Sequence, residues 1–332
     1  MYEKALAIDP FAPAVNLNLA SKYEIRGDFA EAERRMLRLL EVPAPATFSH
    51  TNLVEFYFNT GRLVDAFEIA KRKVLTFARE DARAWCDMLA ATYARVGLWE
   101  KSGHWYDRLH REYPEFINAR LIRSELLIRQ GRYDESLDEF NAALESNSRQ
   151  LSDLNPANQM GYGVRLALTG DFERAKRSLA GLFDSDKPPS GDLIRIDAMQ
   201  MLAWAYLQTG ETERASAILK KIDRYFAYEQ AQGFLNISMD LFLFAQNALL
   251  AGDRDLAVER FQRAIAAGWR DYYLVKNDPR WQLLDGVPRF DVLMTSVKAD
   301  VDAERERINQ IDAEDDFEAR VEEAIAESAT NR

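Results

Sequence analysis

Apolar residues along most of the chain follow the spacing of amphipathic α-helices, and single glycines interrupt this pattern at regular intervals. Each glycine follows one helical pattern and opens a second. No run of alternating β-branched residues bounded by turn residues, which would indicate a β-strand, occurs. Ala, Leu, Glu and Arg are abundant, and these residues lose little conformational freedom in a helix. The sequence therefore predicts an all-α protein made of helix pairs.

Seven glycines mark the turns between the paired helices, and they follow one another at intervals of 34 to 42 residues. They are Gly27, Gly61, Gly97, Gly131, Gly170, Gly210 and Gly252. Glycine accepts the backbone dihedral angles that close a tight turn between two antiparallel helices. The acidic residues that often follow the glycine favour the positive end of the second helix.

Residues at fixed distances from each glycine also recur. Five residues after the glycine the side chain is small, which predicts a close approach of the paired helices: Ala32, Ala66, Ser102, Ser136, Ala175, Ala215 and Ala257. Two residues after the glycine a large apolar side chain stands in the first five units: Phe29, Leu63, Trp99, Tyr133 and Phe172. Large and small residues at fixed offsets are typical of interlocking helices.

These spacings resemble the tetratricopeptide repeat family over about residues 2–267. The resemblance implies a right-handed α-solenoid of antiparallel helix pairs, with four repeats in residues 13–150 and three divergent repeats in residues 151–268. Leu151–Asn155 is an insertion. Asp184–Gly191 contains Pro188 and Pro189 and is expected to be a loop or hinge, because proline cannot continue a helix.

The two ends of the chain depart from the repeat. Residues 1–12 resemble the second helix of a truncated repeat, and we expect a preceding segment or domain. Residues 269–311 are expected to form a C-terminal capping helix, with Phe290, Leu293, Val297 and Val301 on one face. The segment resembles the end of repeat arrays in bacterial signalling proteins, among them winged-helix regulators and proteins with a nucleotide cyclase domain. The matching residues are Gly268, Trp269, Asp278, Pro279, Trp281, Leu284, Pro288, Arg289, Phe290 and Leu293.

The net charge of −11 is concentrated at the C-terminus. Residues 300–332 contain twelve acidic residues and four arginines, which gives −8 and leaves −3 for the rest. A body without a basic excess argues against nucleic-acid binding. Strong charge favours disorder for residues 312–332. The alternative is a helix that carries Phe317, Val321 and Ile325 and docks on a partner or on the repeats themselves.

No pattern in the sequence indicates catalysis, a cofactor site or a metal site. There is no glycine-rich phosphate loop. His104 and His110 lie six residues apart and do not share a helix face, and His50 is remote in sequence from both. Cys86, the single cysteine, is expected to be a buried structural thiol, although a reactive thiol is the alternative. We therefore expect a protein that is not an enzyme.

A partner would bind where the first helices of the repeats are exposed in the groove that the resemblance implies. The candidate contact residues are Glu55, Phe58, Arg95, Arg129, Trp204 and Phe242. Arg95 and Arg129 occupy the same offset in consecutive repeats, where two guanidinium groups suit a carboxylate of an extended peptide. The alternative is that both arginines are ordinary solvated residues at helix ends.

The function expected from these features is a non-catalytic scaffold that binds a protein or peptide partner in the cytoplasm of a bacterium, without a nucleic-acid or membrane contact. One alternative is the regulatory arm of a larger signalling enzyme, such as a nucleotide cyclase or kinase. Another is part of a transcription regulator whose output domain precedes this chain and is contacted by it. A stand-alone structural subunit is the remaining alternative.

Overall fold

The computed structural model describes residues 9, 12–41, 47–77, 86–113, 117–146, 148–183 and 193–330. These residues form 17 α-helices, and no β-strand occurs among them. The prediction of an all-α fold built from helix pairs is confirmed. The expectations for residues 1–8, for Asp184–Gly191 and for the side chain of Cys86 fall outside the described part of the chain.

Fourteen helices form seven consecutive pairs in which the second helix packs against the first. The pairs are α1 (Pro13–Ile25) with α2 (Phe29–Arg38), α3 (Thr47–Asn59) with α4 (Leu63–Phe77), α5 (Cys86–Arg95) with α6 (Trp99–Glu112), α7 (Ile117–Arg129) with α8 (Tyr133–Ser146), α9 (Pro156–Leu168) with α10 (Phe172–Ala180), α11 (Leu193–Gln208) with α12 (Thr212–Ala231), and α13 (Ser238–Leu250) with α14 (Arg254–Ala266). Three further helices follow: α15 (Tyr272–Asn277), α16 (Pro288–Glu314) and α17 (Phe317–Thr330).

The seven turn glycines have the backbone conformation that their spacing predicts. Their φ angles lie between 72° and 89°, in the left-handed region that favours glycine. In every turn the residue after the glycine donates its N–H to the carbonyl of the residue four positions before the glycine, over 2.8–3.0 Å. This bond satisfies a carbonyl that the helix end would otherwise leave without a partner.

The small residues five positions after the glycines are all completely buried. Ser124 and Ser136 show how closely the paired helices approach, because each hydroxyl donates to the other residue's carbonyl over 2.6 Å. At Gly163 a Cβ atom would lie 2.5 Å from the side chain of Leu179. The predicted close approach of the helices is therefore present in α7 with α8 and in α9 with α10.

The chain divides into two compact units. The first unit comprises Met1–Tyr113, Ala267–Arg270 and Lys298–Arg332, and it contains the pairs from α1 to α6. The second unit comprises Pro114–Ala266 and Asp271–Val297, and it contains the pairs from α7 to α14 together with α15. The division falls within α16, between Val297 and Lys298.

In the first unit, α16 covers the turns that follow Gly61 and Gly97. Arg305 donates to the carbonyl of Val96 over 2.5 Å, and Glu304 accepts the N–H of Val64 over 2.9 Å. Val301, which faces the same unit, is completely buried.

In the second unit, four aromatic rings pack together at the end of the last helix pair. The ring of Trp281 lies 5.3 Å from Phe242 and 5.9 Å from Phe290, nearly parallel to both. Phe290 also lies 5.8 Å from Phe261 of α14. The start of α16 thus covers the last repeat, as the cap was expected to do.

The acidic C-terminal residues differ from the expectation of disorder, since residues 317–330 form helix α17. Phe317 and Val321 are buried within the first unit. The acidic side chains around them pair with basic side chains of α4 and α6, for example Asp315 with Lys71 over 2.7 Å. Composition alone shows the negative charge of this segment but not the positive charge that it meets.

Candidate functional site

A cavity of about 490 Å³ lies in the second unit, between the first helices of three consecutive pairs. Helices α7, α9 and α11 supply most of its lining, and residues of α8 and of the segment after α14 complete it. Its walls are largely apolar, with Ile128, Val164 and Met201 among them. Ile194 also lines the cavity and is 55% exposed, which is high for a large aliphatic side chain. A concave, mostly apolar surface with a few charged groups is the usual form of a binding site.

Arg165 forms one charged side of this cavity. The side chain is buried in α9, where its Nε atom donates to the Ser124 hydroxyl over 2.5 Å and its Nη1 atom donates to the Gly161 carbonyl over 2.8 Å. Its Nη2 atom lies 3.0 Å from the carboxylate of Glu125. Burial lowers the pKa of Arg165, and the negative charge of Glu125 opposes that effect. The three bonds fix the guanidinium group in one position.

A second charged group at the cavity is centred on Arg280. The Nη2 atom lies 2.6 Å from the carboxylate of Asp278, and the Nη1 atom lies 3.0 Å from that of Asp197. Burial disfavours the positive charge of Arg280, but the two carboxylates outweigh this effect and raise its pKa above the ordinary value. Gln246 donates to Asp197 over 3.1 Å and accepts the indole N–H of Trp281 over 3.0 Å. The network connects α11, α13 and the segment after α15.

Two of the lining carboxylates remain accessible although each one binds an arginine. The side chain of Glu125 is 53% exposed and that of Asp197 is 35% exposed. The lining contains three carboxylates and two guanidinium groups, which leaves one negative charge in excess. A basic group of a ligand would therefore be favoured at the cavity over an acidic one.

The structure places the predicted contact residue Arg129 beside this cavity but in contact with other side chains. Its Nη2 atom lies 3.1 Å from the buried carboxylate of Asp271, and its Nη1 atom lies 3.7 Å from Glu125. Arg129 therefore holds α7 to the start of α15. This role differs from the peptide-carboxylate contact that the repeated offset suggested.

Trp204 and Phe242 also differ from the expectation of exposed groove residues. Trp204 is 7% exposed, and its ring meets that of Phe172 edge-on at 5.1 Å. Phe242 is 2% exposed and stacks on Trp281. Both rings pack within the core of the second unit, because these faces of α11 and α13 meet neighbouring helices. The spacing of a residue from the turn glycine predicts the helix face on which it lies. It does not predict whether that face contacts solvent or another helix.

The other three predicted residues lie together in the first unit. The guanidinium carbon of Arg95 lies 4.0 Å from the centre of the Phe58 ring, a cation–π contact between α5 and α3. Glu55 is exposed on α3. Protein atoms around the carboxylate still displace part of its water and raise its pKa, while the positive charges of Arg95 and Lys73 act in the opposite direction. The structure thus brings Glu55, Phe58 and Arg95 together, but Phe58 is only 9% exposed and, like Trp204 and Phe242, is not an exposed groove residue.

The charged residues of the second-unit cavity were missed by the sequence analysis. Arg165 stands alone among apolar residues of its helix, which is a usable signal for a buried cation. Arg280 was not singled out, although its neighbours Asp278 and Trp281 were. No sequence signal connects Arg280 with Asp197, 83 residues away in the chain.

Within the described ranges, no three His, Cys, Asp or Glu side chains are grouped so that they could hold a metal ion. A search of the same residues finds no helix that combines the length and the apolar character needed to cross a membrane.

Sequence comparison gives one family match. The tetratricopeptide repeat family matches residues 196–225, which include most of α11 and the first part of α12. The match confirms the repeat family that the glycine spacing indicates, and the same helix–turn–helix geometry occurs at all seven turn glycines. No curated protein matches the chain.

Several solved structures are similar to the chain at low identity. A tetratricopeptide repeat protein from Parabacteroides merdae ATCC 43184 is 20% identical, with 81% of this chain and 96% of that chain covered and a TM-score of 0.45. The APC/C hetero-tetramer Cut9-Hcn1 is 14% identical, with 99% of this chain and 65% of that chain covered and a TM-score of 0.45. The tetratricopeptide repeat domain of P58(IPK) is 14% identical, with 86% and 83% covered and a TM-score of 0.24.

Proposed function

We propose that the protein is a non-catalytic scaffold and that its second-unit cavity binds a short extended segment of a partner protein. Tetratricopeptide repeats in general suit protein–protein interaction. The observation that carries the proposal is the exposure of Ile194 beside the accessible carboxylates of Glu125 and Asp197 in one cavity.

The chemistry of the lining defines the segment. An apolar side chain of the partner would contact Ile128, Val164 and Met201, which removes apolar surface from water. A neighbouring lysine or arginine would lie near Glu125 or Asp197. The buried arginines keep these carboxylates in place, so that little conformational freedom is lost on binding.

The test is selection of peptides from a random display library with the full chain, followed by measurement of affinity for synthetic copies. We expect the selected peptides to contain a basic residue next to a large aliphatic one. Ile194→Lys should weaken their binding by about tenfold or more, since it removes an apolar contact and repels the basic residue; 1.4 kcal/mol corresponds to a factor of ten.

Val292→Lys is the matched control. Val292 is an exposed aliphatic residue of the second unit, like Ile194, but it does not line the cavity. The proposal is wrong if the two variants bind the selected peptides equally well. It is also wrong if the library yields no peptide that the wild-type chain binds at micromolar concentration.

A further inference from the structure

A basic and aromatic surface lies on the second helices of the first unit. Lys71 of α4 and Lys101, His104, Trp105 and Arg108 of α6 form it, and we call it the basic surface. Helix α17 and the end of α16 cover it in the structure.

The contact centres on one aromatic residue at the start of α17. Phe317 is 5% exposed, and its ring lies 5.7 Å from the ring of Trp105. The ammonium group of Lys71 lies 4.5 Å from the centre of the same ring. Val321, one helical turn later, is completely buried. Two apolar side chains therefore anchor the helix.

Acidic residues on both sides of Phe317 pair with the basic surface. Asp312 lies 2.7 Å from Lys101 and accepts the Tyr93 hydroxyl over 2.9 Å. Asp315 lies 2.7 Å from Lys71.

The pairs continue along α17, one turn apart. Glu318 lies 3.2 Å from His104, and Glu322 lies 2.9 Å from Arg108. The charge of the helix and that of the surface are thus complementary along the length of the contact.

The helix covers the surface incompletely. A cavity of about 670 Å³ remains beside α6, bordered by His104, Trp105 and Phe317, and another of about 440 Å³ lies between α4 and α17. Most side chains of α17 up to Glu327 are exposed or half-buried. The carboxylates of Glu318 and Glu322 are 61% and 64% exposed, and ion pairs of such accessible groups contribute little stability individually. A helix with two apolar anchors and open space on both sides is easily displaced.

We propose that the basic surface is a second docking site, for an acidic amphipathic helix of a partner protein, and that α17 occupies it within the chain. The partner helix would carry an aromatic residue for Trp105 and acidic residues one turn apart for Lys101, His104 and Arg108. Binding of the partner would release α17. This inference concerns the first unit and is independent of the cavity in the second unit.

The experiment uses a fluorescent synthetic peptide of residues 311–330 as the acidic helix, added to the full chain. In the wild-type chain the peptide must compete with α17, whose effective concentration is on the order of millimolar. In the Phe317→Ala/Val321→Ala chain the surface is released. We expect this chain to bind the peptide at least tenfold more tightly than the wild-type chain.

A charge reversal on the surface supplies the control. Lys101→Glu, added to the released chain, should weaken peptide binding by about tenfold, whereas Lys220→Glu, on an exposed part of the second unit, should leave it unchanged. Lys101 is 40% exposed on the side chain, so this variant is expected to fold.

Hydrogen exchange of the wild-type chain gives a second measurement that needs no variant. The backbone amides of α17 should exchange much faster than those of α6, and added peptide should accelerate them further. The proposal is overturned if the released and wild-type chains bind the peptide equally, if neither binds it, or if α17 is protected as strongly as α6.

Discussion

Asp278 and Arg280 form a buried ion pair across only two residues of chain, with the Nε atom of Arg280 3.0 Å from both carboxylate oxygens of Asp278. Both side chains are at most 5% exposed. Asp197 contributes a second carboxylate to the same guanidinium group. The positive charge of Arg280 thus compensates the negative charges of both Asp197 and Asp278.

Arg280→Met should destabilise the second unit strongly, because it leaves these two carboxylates without their cation. Removal of one partner of a buried pair costs about 3–5 kcal/mol in the free energy of unfolding. Urea denaturation of the full chain measures the loss. Arg289→Met, an exposed arginine nearby in sequence, should change it by less than about 0.5 kcal/mol. Equal losses in the two variants would contradict the assignment of the buried pair.

Gly268→Ala should destabilise the protein more than the same change at the turn glycine Gly170. Gly268 has a φ angle of 112°, and a Cβ atom there would lie 2.5 Å from the carbonyl carbon of Thr60. Gly170 also has a positive φ angle, but a Cβ atom there would have nothing within 4 Å.

Comparing the stability of these two variants separates the cost of backbone strain at a positive φ angle from the cost of a steric clash of the new Cβ atom. Gly170→Ala should cost only the left-handed strain of about 1–2 kcal/mol. Gly268→Ala should cost about 1–3 kcal/mol more, the usual penalty of overpacking. The measurement is the midpoint of urea unfolding for each variant. The same midpoint for both would show that the backbone at Thr60 shifts to make room for the new Cβ atom without loss of stability.

Glu24→Gln should stabilise the first unit at neutral pH. Burial raises the pKa of Glu24, against the effect of the hydrogen bond that Asn59 donates to it over 3.1 Å. Because the folded-state pKa is above the unfolded-state pKa, the folded state binds more protons, and stability falls as the pH rises between the two values. Glutamine keeps the hydrogen-bond acceptor and removes the charge.

Glu31→Gln is the control of opposite sign. Arg34 lowers the pKa of Glu31, so its contribution is present above the unfolded-state pKa and lost as the pH falls. Thermal melting should show that, at about pH 7, Glu24→Gln is more stable than the wild-type chain and Glu31→Gln is slightly less stable. Both differences should be smaller at about pH 4. A lower stability of Glu24→Gln at pH 7 would contradict the inference that burial of the charged Glu24 carboxylate is unfavourable.

Arg95 and Phe58 should be energetically coupled in the first unit. A cation–π contact of this kind contributes about 0.5–1 kcal/mol. A double-mutant cycle with Arg95→Ala and Phe58→Leu isolates this pair from other interactions of Arg95. We expect a coupling energy in that range from urea denaturation, and strict additivity would show that the contact contributes nothing.

The repeat was predictable from the sequence because its turn uses one residue type for one backbone conformation. Glycine at each turn predicts a positive φ angle, and the structure has it at Gly27 and at Gly252 alike. The small residue five positions later is likewise set by a local requirement, the close approach of two helices adjacent in the chain.

The charged groups of the cavity could not be predicted in the same way. The contact of Arg165 with Ser124 joins two helix pairs, and that of Arg280 with Asp197 joins a helix pair to the segment after α15, so both depend on how separate elements pack together. The acidic segment before the last helix is a similar case, since Asp315 and Asp312 meet Lys71 and Lys101, which lie more than 200 residues earlier in the chain. Local periodicity contains no information on such distances.

The first unit joins Lys298–Arg332 to Met1–Tyr113, and this has a consequence for synthesis of the protein. A ribosome releases α1 to α6 long before it has made the helices that cover their turns. At about 5–20 residues per second the interval lasts on the order of ten seconds or more. Nascent chains that have not yet reached Lys298 therefore expose Lys71, Trp105 and the carbonyl of Val96 to chaperones and other early partners. In the finished protein, residues of α16 and α17 cover these groups.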